Sequence, residues 1–136
     1  MQELTIGTEA TAVYMVTEEK TAQQMGSGSL AVLATPAVVA WMEAAACALL
    51  APYLAEDTTT VGTMIAVEHI SATPVGAEVT VKAVLTAIEG RKYTFRVTAE
   101  DVGGVIAKGQ HERFAVKSER FLSKTYRKLE AGESHG

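Results

Sequence analysis

Residues 34–51, Ala-Thr-Pro-Ala-Val-Val-Ala-Trp-Met-Glu-Ala-Ala-Ala-Cys-Ala-Leu-Leu-Ala, do most to limit what this chain can fold into. Six alanines lie between Ala40 and Ala51, and alanine, leucine and methionine are among the strongest helix formers. Thr35 suits a helix cap, and Pro36 suits the first helical position, where no amide donor is needed. The apolar residues run all round the helix, which predicts burial on every side. The run is too short and too interrupted for the ~20 apolar residues of a membrane span. The rest of the chain must therefore wrap this helix. Inside it sits one carboxylate, Glu43, and a buried carboxylate needs a partner or a raised pKa. Glu43 is the first functional candidate.

The chain is long enough to do the wrapping. At 136 residues it is expected to form one domain over 1–136, burying roughly two-thirds of its unfolded surface. The net charge of −4 gives no general attraction to nucleic acid or to anionic membranes, so neither is expected as a partner. The single Cys47 excludes an internal disulfide, and its apolar neighbours predict an inert core thiol. His69, His111 and His135 lack metal-ligand spacing, so no metal site is expected. No basic region followed by an apolar run opens the chain, so no secretory signal is expected and the cytoplasm is the expected location.

Residues 8–17 alternate loosely and predict a strand. The Gly26-Ser27-Gly28-Ser29 loop lacks the Lys-Ser/Thr ending of a phosphate cradle and reads as an entry loop or lid. Pro52 ends the helix. Strands are predicted over 61–71, 78–89, 92–100 and 105–116, with a tight hairpin at Glu89-Gly90-Arg91. The alternation predicts an antiparallel sheet with one face on a core. Residues 118–136 form an amphipathic tail, with Phe121, Leu122, Tyr126 and Leu129 at helical spacing. The fold class is then α+β: a curled antiparallel sheet of about five strands around one long buried helix, which describes a hot-dog fold. One sheet leaves a side of the helix uncovered. A homodimer is therefore the expected assembly, with a dimer of dimers as its extension.

Thr35, Glu43, Glu68, His69, His111, Glu112 and Arg113 are the polar residues in apolar or strand settings. His69 suits a general base or proton donor, or else a satisfied strand histidine. His111 and Arg113 share one face of the last strand, where exposed cross-strand pairing is the plain expectation. No Gly-x-Ser-x-Gly nucleophile motif is present.

Certain motifs occur together and in order. They are Leu33-Ala34-Thr35-Pro36, Trp41-Met42-Glu43, Ala51-Pro52-Tyr53-Leu54, Val61-Gly62-Thr63, Glu68-His69, Ala72-Thr73-Pro74 and Gly109-Gln110-His111-Glu112-Arg113. From about residue 30 to beyond 120 the chain resembles the hot-dog thioesterases of the fluoroacetyl-CoA thioesterase type. The resemblance implies hydrolysis of a small acyl-CoA thioester with no cofactor beyond the CoA of the substrate. It implies catalytic roles for Thr35, Glu43 and His69, contact of Gly62 with the substrate carbonyl, and a substrate-facing Arg113. Pro36 stands where that family has a glycine, and Ser29 where it has a gating phenylalanine. Generic acyl-CoA hydrolysis is thus expected without fluoroacetyl selectivity. Free amides at the helix N-terminus suit a developing oxyanion, and Glu43 is expected to orient His69 or to attack the carbonyl itself. A regular helix would set Thr35 and Glu43 about 12 Å apart, so either the helix starts later, near Val38 or Val39, or the two meet substrate at different points or come from different protomers. The rival readings are an enoyl-CoA hydratase or dehydratase with His69 and Glu43 as acid and base, and a non-catalytic acyl-CoA binding module.

Overall fold

The computed structural model describes residues 3–135. Its elements are β1 (Glu9–Met15), α1 (Ala22–Met25), α2 (Thr35–Leu50), β2 (Thr58–His69), β3 (Glu78–Glu89), β4 (Lys92–Asp101), β5 (Gly104–Lys117) and α3 (Ser118–His135). The strands form one open sheet in the order β1-β3-β4-β5-β2, and every neighbouring pair is antiparallel. The expected hot-dog arrangement is present, with β1 and β2 as its edges.

Alternation sets which side of each strand meets α2. Val79, Val81, Ala83 and Leu85 of β3, with Phe95, Val97 and Ala99 of β4, are fully buried beneath the helix. Burying a valine-to-phenylalanine side chain contributes about 1.5–3 kcal/mol, so these rows fix the register of β3 and β4. From α2 come Ala37, Val38, Trp41, Met42, Ala45, Ala46, Leu49 and Leu50, spaced as one helical face. Tyr14 of β1 stacks on Trp41 with ring centroids 4.6 Å apart. Gly109 lets β5 lie close against β2, because a Cβ there would run into the Ala66 carbonyl oxygen of β2.

Three expectations are corrected. The sheet covers only one side of α2, so within a single chain the helix is not buried all round. Ala40, Ala44, Cys47 and Ala48 form an exposed stripe on its other side. Alanine favours the helix whether or not it is buried, so composition overstated burial. Cys47 is accordingly an exposed thiol and not a core one. Finally, residues Thr35–Tyr53, 19 residues of mean hydropathy 1.4, do have the length and composition of a membrane-crossing helix. Packing against the sheet, not sequence length, distinguishes this helix.

Candidate active site

The chain before α2 and the chain after β2 are tied together. Leu33 N donates to the Thr73 carbonyl at 2.9 Å, and Ile70 N donates to the Ile106 carbonyl at 2.7 Å. The first bond brings the start of α2 to the end of β2, and the second holds the end of β2 on β5. Thr35 Oγ1 and His69 Nδ1 stand 2.8 Å apart. The capping role expected of Thr35 is not taken up: the cap position is Ala34, with no side-chain bond. The amides of Ala37 and Val38 both turn to the Ala34 carbonyl, and Pro36 has none. The first turn is therefore poorer in free donors than the sequence suggested. His69 Nε2 is buried without a hydrogen-bond partner among the described residues. A cavity of about 270 Å³ lies beside the pair, lined in part by Ala22, Ser27, Val32 and Leu33.

Glu43 belongs to a second group. Its Oε2 receives Arg113 Nη1 at 3.4 Å, with the arginine side chain 8% and the glutamate side chain 41% exposed. The glutamate is thus less buried than its helix composition predicts, and its partner is Arg113, not His69. Arg113 is anchored by Thr60, donating from Nε to Oγ1 at 2.9 Å and from Nη2 to the carbonyl oxygen at 3.0 Å. The β2–β5 register shifts between Gly62 and Met64, and such a bulge re-aims the groups around it. Gly62 leaves room for the pair, since a Cβ there would lie 2.9 Å from Glu43 Oε2 and 3.2 Å from Arg113 Nη1.

His111 completes this group. It is 1% exposed, against the expected exposed pairing, because it faces inward beside Phe95. Its Nδ1 bonds the Met64 carbonyl oxygen at 2.8 Å and its Nε2 meets Arg113 Nη1 at 3.2 Å. Burial pushes its pKa below 6.5, and the Arg113 cation adds to this, while the Met64 bond and the Glu43 and Glu112 carboxylates oppose it. That His111 shares a face with Arg113 was readable from the alternation; that this face turns inward was not.

Within one chain the two groups are separate. Gly62 and His69 lie seven residues apart on β2, about 23 Å at ~3.3 Å per residue. Thr35 and Glu43 lie eight residues apart on α2, about 12 Å. A cavity of about 990 Å³ is lined from β2, β4 and β5 by Glu68, Arg96 and Lys108 among others, and includes neither Thr35 nor Glu43. Among the described residues no three His, Cys, Asp or Glu side chains are grouped to hold a metal ion.

The family model described as fluoroacetyl-CoA-specific thioesterase matches residues 16–119. The chain belongs to the fluoroacetyl-CoA-specific thioesterase family. It is 43% identical over 101 residues to the fluoroacetyl-CoA thioesterase of Streptantibioticus cattleyicolor, a match covering 74% of this chain and 73% of that one. A crystal structure of a variant fluoroacetyl-CoA-specific thioesterase with fluoroacetate and CoA superposes with a TM-score of 0.83 at 35% identity, covering 87% of this chain and 99% of the other. A thioesterase superfamily member of Thermus thermophilus superposes with a TM-score of 0.90 at 27% identity, covering 98% and 99%. Members of the thioesterase family share the open antiparallel sheet and long helix seen here, so the hot-dog architecture and the family agree.

Proposed function

We propose that this protein is an acyl-CoA thioesterase that hydrolyses a small acyl thioester to the free acid and CoA. The observation that carries the reading is the 2.8 Å bond between Thr35 Oγ1 and His69 Nδ1. A hydroxyl and an imidazole at that distance are placed for proton transfer. The imidazole takes a proton from the attacking oxygen as the C–O bond forms. The bound hydroxyl of Thr35 is the oxygen best placed to lose that proton. The imidazole returns that proton to the CoA sulfur as the C–S bond breaks, which leaves the acyl group on Thr35. The imidazole then takes a proton from water as the water oxygen bonds the acyl carbon, and gives it to Thr35 Oγ1 as the acyl–threonine bond breaks and the acid leaves. Neither step calls for a metal or an organic cofactor.

The site is completed by a homodimer. β2 is an edge strand of 12 residues, a long free edge that invites pairing. Antiparallel pairing of β2 with its own copy, about a two-fold axis near Ile65 and Ala66, sets the Gly62 end of one strand beside the His69 end of the other. Glu43 and Arg113 of one protomer then face the partner's Thr35 and the partner's His69. The exposed stripe of Ala40, Ala44, Cys47 and Ala48 supports close approach of a second copy, because small side chains let backbones come near. This arrangement accounts for a separation that one chain cannot bridge.

The cavity of about 270 Å³ beside Thr35 and His69 suits a short acyl group. Ser29 is exposed and too small to close over it, so fluoroacetyl and acetyl esters are turned over with similar efficiency. The reading is tested by thiol release from acyl-CoA esters of increasing length, with enoyl-CoA hydration assayed in parallel. Turnover of the shortest esters without hydration is expected. Hydration without thiol release would make the protein a hydratase, and tight CoA-ester binding with no thiol release would make it a binding module.

A further inference from the structure

We propose that His111 is a positioning residue, a neutral imidazole locked as the Nδ1–H tautomer between the Met64 carbonyl and the Arg113 guanidinium, which sets where Arg113 and Glu43 stand. The proposal rests on the thioesterase reading and adds a residue to which that reading gives no role.

The tautomer follows from the two partners. A carbonyl oxygen only accepts, so the 2.8 Å bond to Met64 requires a proton on Nδ1. A guanidinium only donates, so the 3.2 Å bond from Arg113 Nη1 requires a lone pair on Nε2. A neutral imidazole has one of each, and both partners demand the same one. The Phe95 ring lies beside it, centroid to centroid 6.0 Å, and the side chain is 1% exposed. The charged groups around the ring are Arg113 and Glu112 on β5 and Glu43 on α2; burial, aided by the Arg113 cation, favours the neutral ring against the Met64 bond and the two carboxylates.

The consequence falls on Arg113. Its Nε and Nη2 are bonded to Thr60, and Nη1 divides between His111 and Glu43. The imidazole lone pair fixes the direction of one Nη1 proton and so leaves the other aimed at the carboxylate. A protonated ring would instead place a second cation against the guanidinium.

Two substitutions separate the bonds. In His111→Gln the amide oxygen reaches the Nε2 position and still accepts from Arg113. In His111→Asn the shorter amide keeps the donor to Met64 and loses the acceptor for Arg113. The expected result is that His111→Asn lowers kcat by about tenfold or more, with KM within about threefold, while His111→Gln stays within about threefold of the unmodified protein in both. Equal activities in the two variants, or losses that follow their unfolding midpoints alone, would overturn the proposal. A measurement on the unmodified protein does not depend on variant folding: imidazole ¹⁵N NMR is expected to show His111 neutral with the proton on Nδ1 at pH 7. An Nε2–H ring or an imidazolium there would overturn it. Thiol release by the unmodified protein tests the thioesterase reading separately, so failure of one is distinguishable from failure of the other.

Discussion

Glu43 Oε2 stands 3.4 Å from Arg113 Nη1, while eight residues earlier on the same helix Thr35 Oγ1 stands 2.8 Å from His69 Nδ1. One helix thus carries a hydroxyl–imidazole pair at its start and a charge pair about two turns further on. The first pair is held by the docking of the segments that flank α2 and β2. The second is held by the Gly62–Met64 bulge and by the side chains of β5. A thioester carbonyl needs both kinds of group, a proton acceptor for the attacking oxygen and fixed charge around the reacting centre.

The Thr35–His69 pair makes the first prediction. His69→Ala lowers thioesterase turnover by at least about a hundredfold, the scale of acid–base catalysis. Thr35→Ser keeps the hydroxyl and most of the rate, whereas Thr35→Val keeps the shape and falls as far as His69→Ala. Steady-state thiol release compares the three, and a Thr35→Val enzyme of full activity would remove the hydroxyl from the mechanism.

Glu43 makes the second. Glu43→Gln keeps an oxygen for Arg113, so stability changes by less than about 1 kcal/mol while turnover falls at least about a hundredfold. Glu43→Leu leaves the guanidinium without its carboxylate and costs about 1–3 kcal/mol, below the ~3–5 kcal/mol of a fully buried pair because Glu43 is partly exposed. Urea unfolding and thiol release, measured on both variants, separate the structural role from the chemical one.

Gly62 makes the third. Gly62→Ala places a Cβ 2.9 Å from Glu43 Oε2 and 3.2 Å from Arg113 Nη1, and both neighbours are ends of flexible side chains. The protein folds, with a stability loss of about 1 kcal/mol or less. The displaced carboxylate lowers kcat about tenfold or more, as a misplacement of about 1 Å can cost ~100-fold. Unchanged kcat with a well-folded variant would mean that the position of the carboxylate is unimportant.

The fourth prediction concerns pH and stability. The folded pKa of His111 lies below its ordinary 6.5, so the unfolded chain binds the proton more readily. The stabilisation is fully present above about pH 6.5 and is lost as pH falls from there through the folded pKa. Asp57, whose carboxyl Lys117 and Thr58 hold below 3.8, acts in the same direction but in a lower window. Urea midpoints are expected to fall between pH 7.5 and 5.5, and to fall less in His111→Gln. The same slope in both proteins would assign the acid sensitivity to other groups.

Sequence patterning carried the fold further than it carried the site. The alternation of residues 78–89 and 92–100 gave β3 and β4 nearly to the residue, because one face of each packs on α2 and the period of two is enforced by burial. The exposed stripe of α2 was hidden, since Ala40, Ala44 and Ala48 look alike whether buried or bare. Thr35, Glu43, His69 and Arg113 stood out in the sequence as polar residues in apolar or strand settings, while Gly62 came only through the family resemblance. Their partners did not stand out. The Glu43–Arg113 pair joins residues seventy positions apart through a shifted strand register that no local pattern encodes. The short α1 and the interior place of His111 likewise depend on tertiary docking rather than on periodicity.

Complementation between two inactive variants tests whether the working site is assembled from two copies. His69→Ala and Glu43→Gln proteins, each nearly inactive alone, are co-expressed in equal amounts with different tags and allowed to pair at random. In a heterodimer one of the two sites then combines an intact Glu43 with an intact partner's His69. The mixture is expected to recover about a quarter of unmodified activity, because about half of the dimers are mixed and each has one intact site. Isolated mixed dimers that remain as inactive as either parent would contradict assembly from two copies.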